Sequence, residues 1–329
     1  MPKMRMTRRG FLAGGAAVAA AMAGWTLWPR RVEARVFVGR AAGYGPEIFS
    51  LVGRGLRELG VAEAEIKGKT VLLKPNLVET NGRESGHVVT NPQVVLAVAE
   101  ALARLGAARV LVGEGSGHCV DSGRLLAESG LGEALALAGL EFVDLNLDDL
   151  VAVPNRTGFS RLKEIVLPAT LRGVDMVVSL PKMKTHHWAG ATLSMKNLFG
   201  LLPGAYYGWP KNPLHQAGIF GCILDINAAV GPRLAIVDGI VGMEGDGPIM
   251  GRPKAAGVLV MGRNLPAVDA TAARVMGLDP GRIPYLAQAA GHMGPIAVGA
   301  IEQAGESLSS VRAPFALVEG IPAHQGLAG

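Results

Sequence analysis

"VDMVVSLPKMKTHH" runs from Val174 to His187. Its first half is a short, continuous apolar run rich in Val, the pattern of a strand buried on both faces. Polarity arrives abruptly after Pro181, with Lys182, Lys184, His186 and His187 close together. Strands that turn polar only at their carboxyl ends belong to parallel sheets covered by helices, and ligands bind beyond those ends.

The same pattern recurs in both directions. "KTVLLKPNLV" (69–78) ends with Lys74 and Asn76, and "ARVLVGEGSG" (108–117) ends with Glu114 and Ser116, with His118 just beyond. "RLAIVDGIVGMEGDGP" (233–248) holds Asp238, Glu244 and Asp246, and "AAGVLVMGRN" (255–264) ends with Arg263 and Asn264. "ARVFVG" (34–39) is a further strand, and "RLKEIVLPATLRG" (161–173) reads as an edge hairpin strand and turn. Between them lie segments of helical spacing. "GPEIFSLVGRGLRELG" (45–60) sets Ile48, Leu51, Val52, Leu56 and Leu59 on one face. Asn91 and Pro92 open the next helix as N-cap and first residue, and Gly106 closes it. Segments 122–139, 191–202, 217–230, 266–277 and 283–294 read as helices too. Strands alternating with helices give an α/β class with a mostly parallel sheet and helices on both faces. One domain over residues 35–329 is expected, with an inserted lobe or lid near 200–220, where Tyr206, Tyr207, Trp209 and three prolines cluster. Gly supplies 46 of 329 residues, about twice its usual share of ~7%, as suits many tight turns.

Residues 1–34 read as a targeting segment. Arg8-Arg9 precede Phe11-Leu12 and an Ala/Gly-rich apolar run, which resembles a twin-arginine export signal. The resemblance implies export by that route to a periplasmic or other extracytoplasmic compartment. Val32–Ala34 suits a signal peptidase, while the run to Trp28 is marginally long enough to remain as a membrane anchor. The segment carries Lys3, Arg5, Arg8, Arg9, Arg30 and Arg31 against Glu33, which accounts for the whole formal charge of +5. The remainder is neutral, so the basic balance gives no argument for nucleic acid. Cys119 and Cys222 are the only cysteines, too few for an iron–sulfur cluster, which usually takes four thiolates. Their wide separation favours unpaired thiols.

If the strands are parallel, their polar ends converge on one crevice. Lys74, Lys182, Lys184 and Lys196 would bring four ammonium groups to it, suited to a phosphate or carboxylate. Helix starts after Asn91 and near Thr192 would add N–H donors. His186 and His187, adjacent on an extended chain, point to opposite sides, so at most one is expected in the crevice, as general acid or base. Asp238, Glu244 and Asp246 on a Gly-rich segment suit either a divalent cation or plain turns. Asp269 is expected to favour the dipole of its own helix's first turn.

"LLKPNLV", "TNPQVV", "VGEGSG", "LPKMKTHHWAGATLSMKNLFG", "VDGIVGMEGDGP" and "AVDATAARVMG" together resemble the domain of unknown function 362 family, over about Lys69 to Gly294. The matching positions are Lys74, Asn76, Asn91, Lys182, Lys184, His186, Lys196, Asn197, Asp238, Glu244, Asp246 and Asp269. The resemblance implies a fold and a residue pattern but no established reaction. Many relatives carry ferredoxin-like cysteine motifs that this chain lacks, so cluster-linked electron transfer is not implied. The expectation is an exported enzyme for a small anionic substrate. His186 and Lys184 are the catalytic candidates. Lys74, Asn76, Asn91, Glu114, Lys182, Lys196 and Asn197 are the ligand-binding candidates, and Asp238, Glu244 and Asp246 would hold a divalent metal. A non-catalytic anion- or metal-binding protein, or an assembly partner of an exported redox complex, remains the alternative.

Overall fold

The computed structural model describes residues 34–80, 85–119 and 121–329. The first strand, β1 (Ala34–Arg40), begins at the end of the expected targeting segment, which otherwise lies outside the described residues. Then follow β2 (Thr70–Pro75), β3 (Arg109–Glu114), β4 (Glu141–Asp144), β5 (Leu150–Pro154), β6 (Glu164–Pro168), β7 (Met176–Leu180), β8 (Lys182–His186), β9 (Gly190–Thr192), β10 (Leu234–Glu244), β11 (Arg252–Gly262) and β12 (Ile301–Gly305). The main sheet has the order β12-β1-β11-β10-β7-β2-β3-β4, and β8 joins it beside β10 and carries β9. Strands β10, β7, β2, β3 and β4 are parallel to one another, and only β11 along that path runs against its neighbours. Strands β5 and β6 form a separate antiparallel pair, the expected hairpin.

Successive strand residues point to opposite faces, and both faces are buried. Val71, Leu73 and Val112 pack with the helices Glu47–Glu58 and Pro92–Arg104. Leu72, Leu111 and Val177 pack on the other side with the helices Ile219–Val230 and Leu265–Val275. Asn91 caps its helix as expected, its side chain accepting from the Gln93 N–H at 2.9 Å.

Three expectations are corrected. The helix expected over 122–139 is two, Ser122–Ser129 and Leu131–Leu137, because Gly130 takes a φ of 70° that a continuing helix cannot use. Segment 191–202 is not one helix: it holds the end of β9, a single turn Ser194–Asn197 and a 3₁₀ turn Leu198–Leu201. Arg263 and Asn264 lie at the opposite end of the sheet from the other polar clusters, because β11 is antiparallel. Arg263 pairs there with Glu65 (3.0 Å), and Asn264 caps the helix Leu265–Val275. Among the described residues, no helix is long and apolar enough to cross a membrane.

Candidate functional site

The carboxyl ends of β2 and β3 build the floor of a cleft of about 120 Å³. Parallel pairing brings Lys74 Nζ within 2.6 Å of Glu114 Oε2. The carboxylate also accepts the backbone N–H groups of Leu77 (2.8 Å) and Gly115 (3.0 Å). Burial pushes the Lys74 pKa down and the Glu114 pKa up, and their mutual attraction opposes both shifts. Gly200 must be glycine here: a Cβ would overlap Glu114 Oε1 and stand 2.6 Å from Lys74 Nζ. Asn76 and Asn197 close the floor, Asn76 Nδ2 donating to Asn197 Oδ1 at 3.2 Å.

Two lysines on the cleft have no carboxylate partner among the described residues. Lys196 holds its Nζ 4.2 Å from the Phe199 ring centroid, a cation–π contact. Burial, then repulsion from Lys74, lowers its pKa to about 8. Lys211 is buried and donates to the Gly115 carbonyl at 2.7 Å. Burial lowers it to about 7, against the attraction of Glu114.

Both His186 and His187 reach this cleft, contrary to the expectation of one. The chain leaves β8 in a turn at His187, so strand alternation stops there and the rings meet edge-on at 5.0 Å. His186 Nδ1 accepts from the backbone N–H groups of Trp188 (3.0 Å) and Ala189 (3.2 Å). Burial and the nearby Lys196 push its pKa well down, so the ring is neutral with its proton on Nε2. Nε2 is therefore a hydrogen-bond donor rather than a ready base. Burial lowers His118 also, and His215 to about 4. Two buried polar atoms of cleft residues, Asn76 Oδ1 and Thr192 Oγ1, have no partner among the described residues. Buried polar atoms are seldom left so.

The remaining candidates lie elsewhere. Lys182 faces Asp238 across the β8–β10 register, at 2.6 Å and with both side chains fully buried. Its Nζ also donates to Val241 O (3.1 Å) and lies 3.0 Å from Tyr44 Oη. Asp238 accepts the Tyr44 hydroxyl (2.9 Å) and the Asn91 N–H (3.0 Å). Lys182, Asp238 and Asn91 thus form a closed network that does not line the cleft, and the Asn91 helix start faces Asp238 rather than a ligand. Lys184, expected to be catalytic, is sealed off as well, donating to Val88 O (2.8 Å) and Pro248 O (3.1 Å). Burial and nearby lysines push its pKa well down.

Asp238, Glu244 and Asp246, expected to hold a metal, are not brought together. Glu244 accepts the Ala316 N–H (2.9 Å) and pairs with Arg252 (3.4 Å), whereas Asp246 is exposed beside His187 at 3.6 Å. Among the described residues, no group of three or more His, Cys, Asp or Glu side chains is placed to hold a metal ion. The "EGDGP" loop instead folds onto β8: Gly245 O accepts the Thr185 hydroxyl (2.7 Å), Gly247 O accepts the His187 N–H (2.9 Å), and Pro248 lines the cleft.

Asp269 does not serve its own helix's first turn. It is buried at mid-helix and accepts the N–H groups of Ser194 (2.7 Å) and Met195 (3.0 Å), together with the Ser194 hydroxyl. It thereby anchors the turn that carries Lys196 and Asn197 and takes the N–H donors expected near Thr192. Burial raises its pKa to about 7, against those hydrogen bonds. Cys119 and Cys222 are both free and buried.

Sequence reasoning missed Lys211 and His215. Both come from the stretch expected to be a lid, which supplies one cleft wall through Pro210, Lys211 and His215. The signal lay in "GWPKNPLH", where a cation and an imidazole sit among prolines beside a Trp.

A family model described as a domain of unknown function (DUF362) matches residues 71–274. A thylakoid-associated protein of Synechocystis sp. is 32% identical over 222 residues, covering 67% of each chain. Among solved structures, the lactate racemase apoprotein of Thermoanaerobacterium thermosaccharolyticum is similar with a TM-score of 0.40 and 11% identity, over 66% of this chain and 52% of that one. A Thermotoga maritima protein gives 0.36 and 12%, over 67% and 55%. This chain thus spans about half the length of either structure, and such low identities transfer no residue roles.

Proposed function

The chain belongs to the domain of unknown function 362 family, and we propose that it is an enzyme acting on a small anionic substrate held in the Lys196–Lys211 cleft. The observation that carries this reading is that two lysines without a carboxylate partner among the described residues, Lys196 and Lys211, line one cleft with His186 and Asn76. An anion would supply the missing countercharge. Trp188 and Phe199 offer apolar wall to a carbon skeleton. His186 would donate from Nε2 to a substrate oxygen. Lys211, with a pKa near neutrality, would exchange a proton with the substrate.

The test is turnover. The purified full chain is incubated with a panel of small carboxylates and phosphate esters at pH 7, and each is followed by NMR, including solvent-deuterium incorporation. Conversion or exchange that disappears in Lys211→Met is the expected result. Anions that bind but never react would replace the enzyme with an anion-binding protein.

An extracytoplasmic location is proposed with this function. The Arg8-Arg9 pattern supports it, and the thylakoid association of the Synechocystis relative is compatible with it. Replacing both arginines by lysine should retain the protein in the cytoplasm, and undiminished export would refute the proposal.

A further inference from the structure

One amine in the cleft is unlike the chain's other inward-facing lysines. Lys74, Lys182, Lys184 and Lys211 each donate from Nζ to a carbonyl or carboxylate oxygen within 2.8 Å. Lys196 Nζ donates to no described residue, and its contact is the face of Phe199, 4.2 Å to the ring centroid. Nor is it sealed off: Lys196 is only partly buried, and no atom of it is among the partnerless polar atoms shut away from solvent in the described residues. It lines the cleft together with Phe199 and Lys211. The amine is also held in place. The turn Ser194–Asn197 that carries it is fastened by Asp269, which accepts the N–H groups of Ser194 and Met195.

An accessible amine that makes no hydrogen bond, lies against an aromatic ring and has other cations nearby keeps its lone pair free to bond to carbon. Its lowered pKa of about 8 acts in the same direction. Near pH 7 its unprotonated fraction exceeds that of an ordinary exposed lysine (pKa ~10.4) on the order of a hundred-fold. Lys211 is close enough for the two charges to repel, so a reactant that carries an anion is drawn to the same space. A cleft of about 120 Å³ limits that reactant to a small molecule. We infer that Lys196 is a nucleophile that forms an imine with a small oxo acid. Nζ attacks the carbonyl carbon, and the C–N bond forms as the carbonyl π pair moves to oxygen, which takes a proton from the nitrogen. The hydroxyl so formed gains one proton from solvent and leaves as water, and the nitrogen lone pair closes the C=N bond. The protonated imine carries the same single charge as the ammonium and withdraws electrons from bonds at the adjacent carbon. The choice of an anionic carbonyl compound rests on the anion-site reading above, whereas the imine itself does not.

Reductive trapping tests it. The native full chain is mixed at pH 7.5 with pyruvate, or with its uncharged methyl ester, in the presence of sodium cyanoborohydride, which reduces an imine to a stable secondary amine. Peptide mass spectrometry then locates the added group. With pyruvate, Lys196 should be modified on the order of tenfold faster than Lys67, whose side chain is exposed. The fast phase should vanish from the intact-protein mass in Lys196→Arg, which keeps the positive charge and cannot form an imine. Should that variant not fold, the ratio of Lys196 to Lys67 in the wild-type chain decides alone. Lys196 modified no faster than Lys67 would overturn the nucleophile, and pyruvate still bound in calorimetry would then leave the anion site standing. Fast trapping of Lys196 by the ester but not by pyruvate would uphold the imine and overturn the anionic substrate.

Discussion

Lys182 and Lys196 come from the same lysine-rich stretch, yet they meet opposite surroundings. Lys182 finds a carboxylate, a hydroxyl and a carbonyl, and Asp238 opposite it is equally well served. Lys196 finds an aromatic face and a cleft whose polar lining is incomplete. The first arrangement is closed and joins two strands to the Tyr44 loop and the start of the Asn91 helix. The second is open to a cleft, where the proposal seats the anion. Buried charge alone does not mark a site; buried polarity that the chain leaves unsatisfied does.

The largest effect that separates the two regions is on stability. Lys182→Met leaves Asp238 buried without its counter-ion and should cost about 3–5 kcal/mol in denaturant unfolding. A loss below ~1 kcal/mol would mean that the network does not hold the strands. Gly200→Ala sits on the other side of the comparison. Its added methyl would overlap Glu114 at the cleft floor, so ~1–3 kcal/mol of stability should go together with anion affinity. Unchanged affinity in that variant would place the ligand away from the floor.

Lys196→Ala should leave stability nearly unchanged while anion affinity falls on the order of ten- to a hundred-fold. The pH dependence is gentler. Lys211 loses its charge as pH rises through about 7, and Lys196 through about 8. Anion affinity should therefore be greatest at pH 6 and fall above 7, by up to about tenfold per pH unit for each lysine titrating. Affinity flat from pH 6 to 9 would show that neither amine carries the attraction.

Much of the fold was legible because apolar strand runs and helical spacing are local signals. Lys74, Asn76, Glu114 and His186 were placed near the cleft by a single rule, that polar residues follow the carboxyl ends of parallel strands, whereas Asn197 came only from the family resemblance. The rule failed where direction mattered: nothing local in "VLVMGRN" shows that its strand runs antiparallel. It also could not pair charges. Lys182 and Lys196 look alike in sequence, and only the register that sets Asp238 opposite Lys182 tells them apart. Lys211 was out of reach for a similar reason, since its stretch carries no periodicity and is positioned by tertiary contact.

Lysine footprinting compares the two regions in one experiment. The native full chain is treated at pH 8 with a small acylating reagent, with and without a saturating small carboxylate, and each lysine is followed by mass spectrometry. Lys196 should be acylated early and protected by the carboxylate, while Lys182 and Lys184 stay unmodified until the protein unfolds. Acylation of Lys182 at the rate of Lys196, or a Lys196 that no anion protects, would contradict the division between closed network and open site.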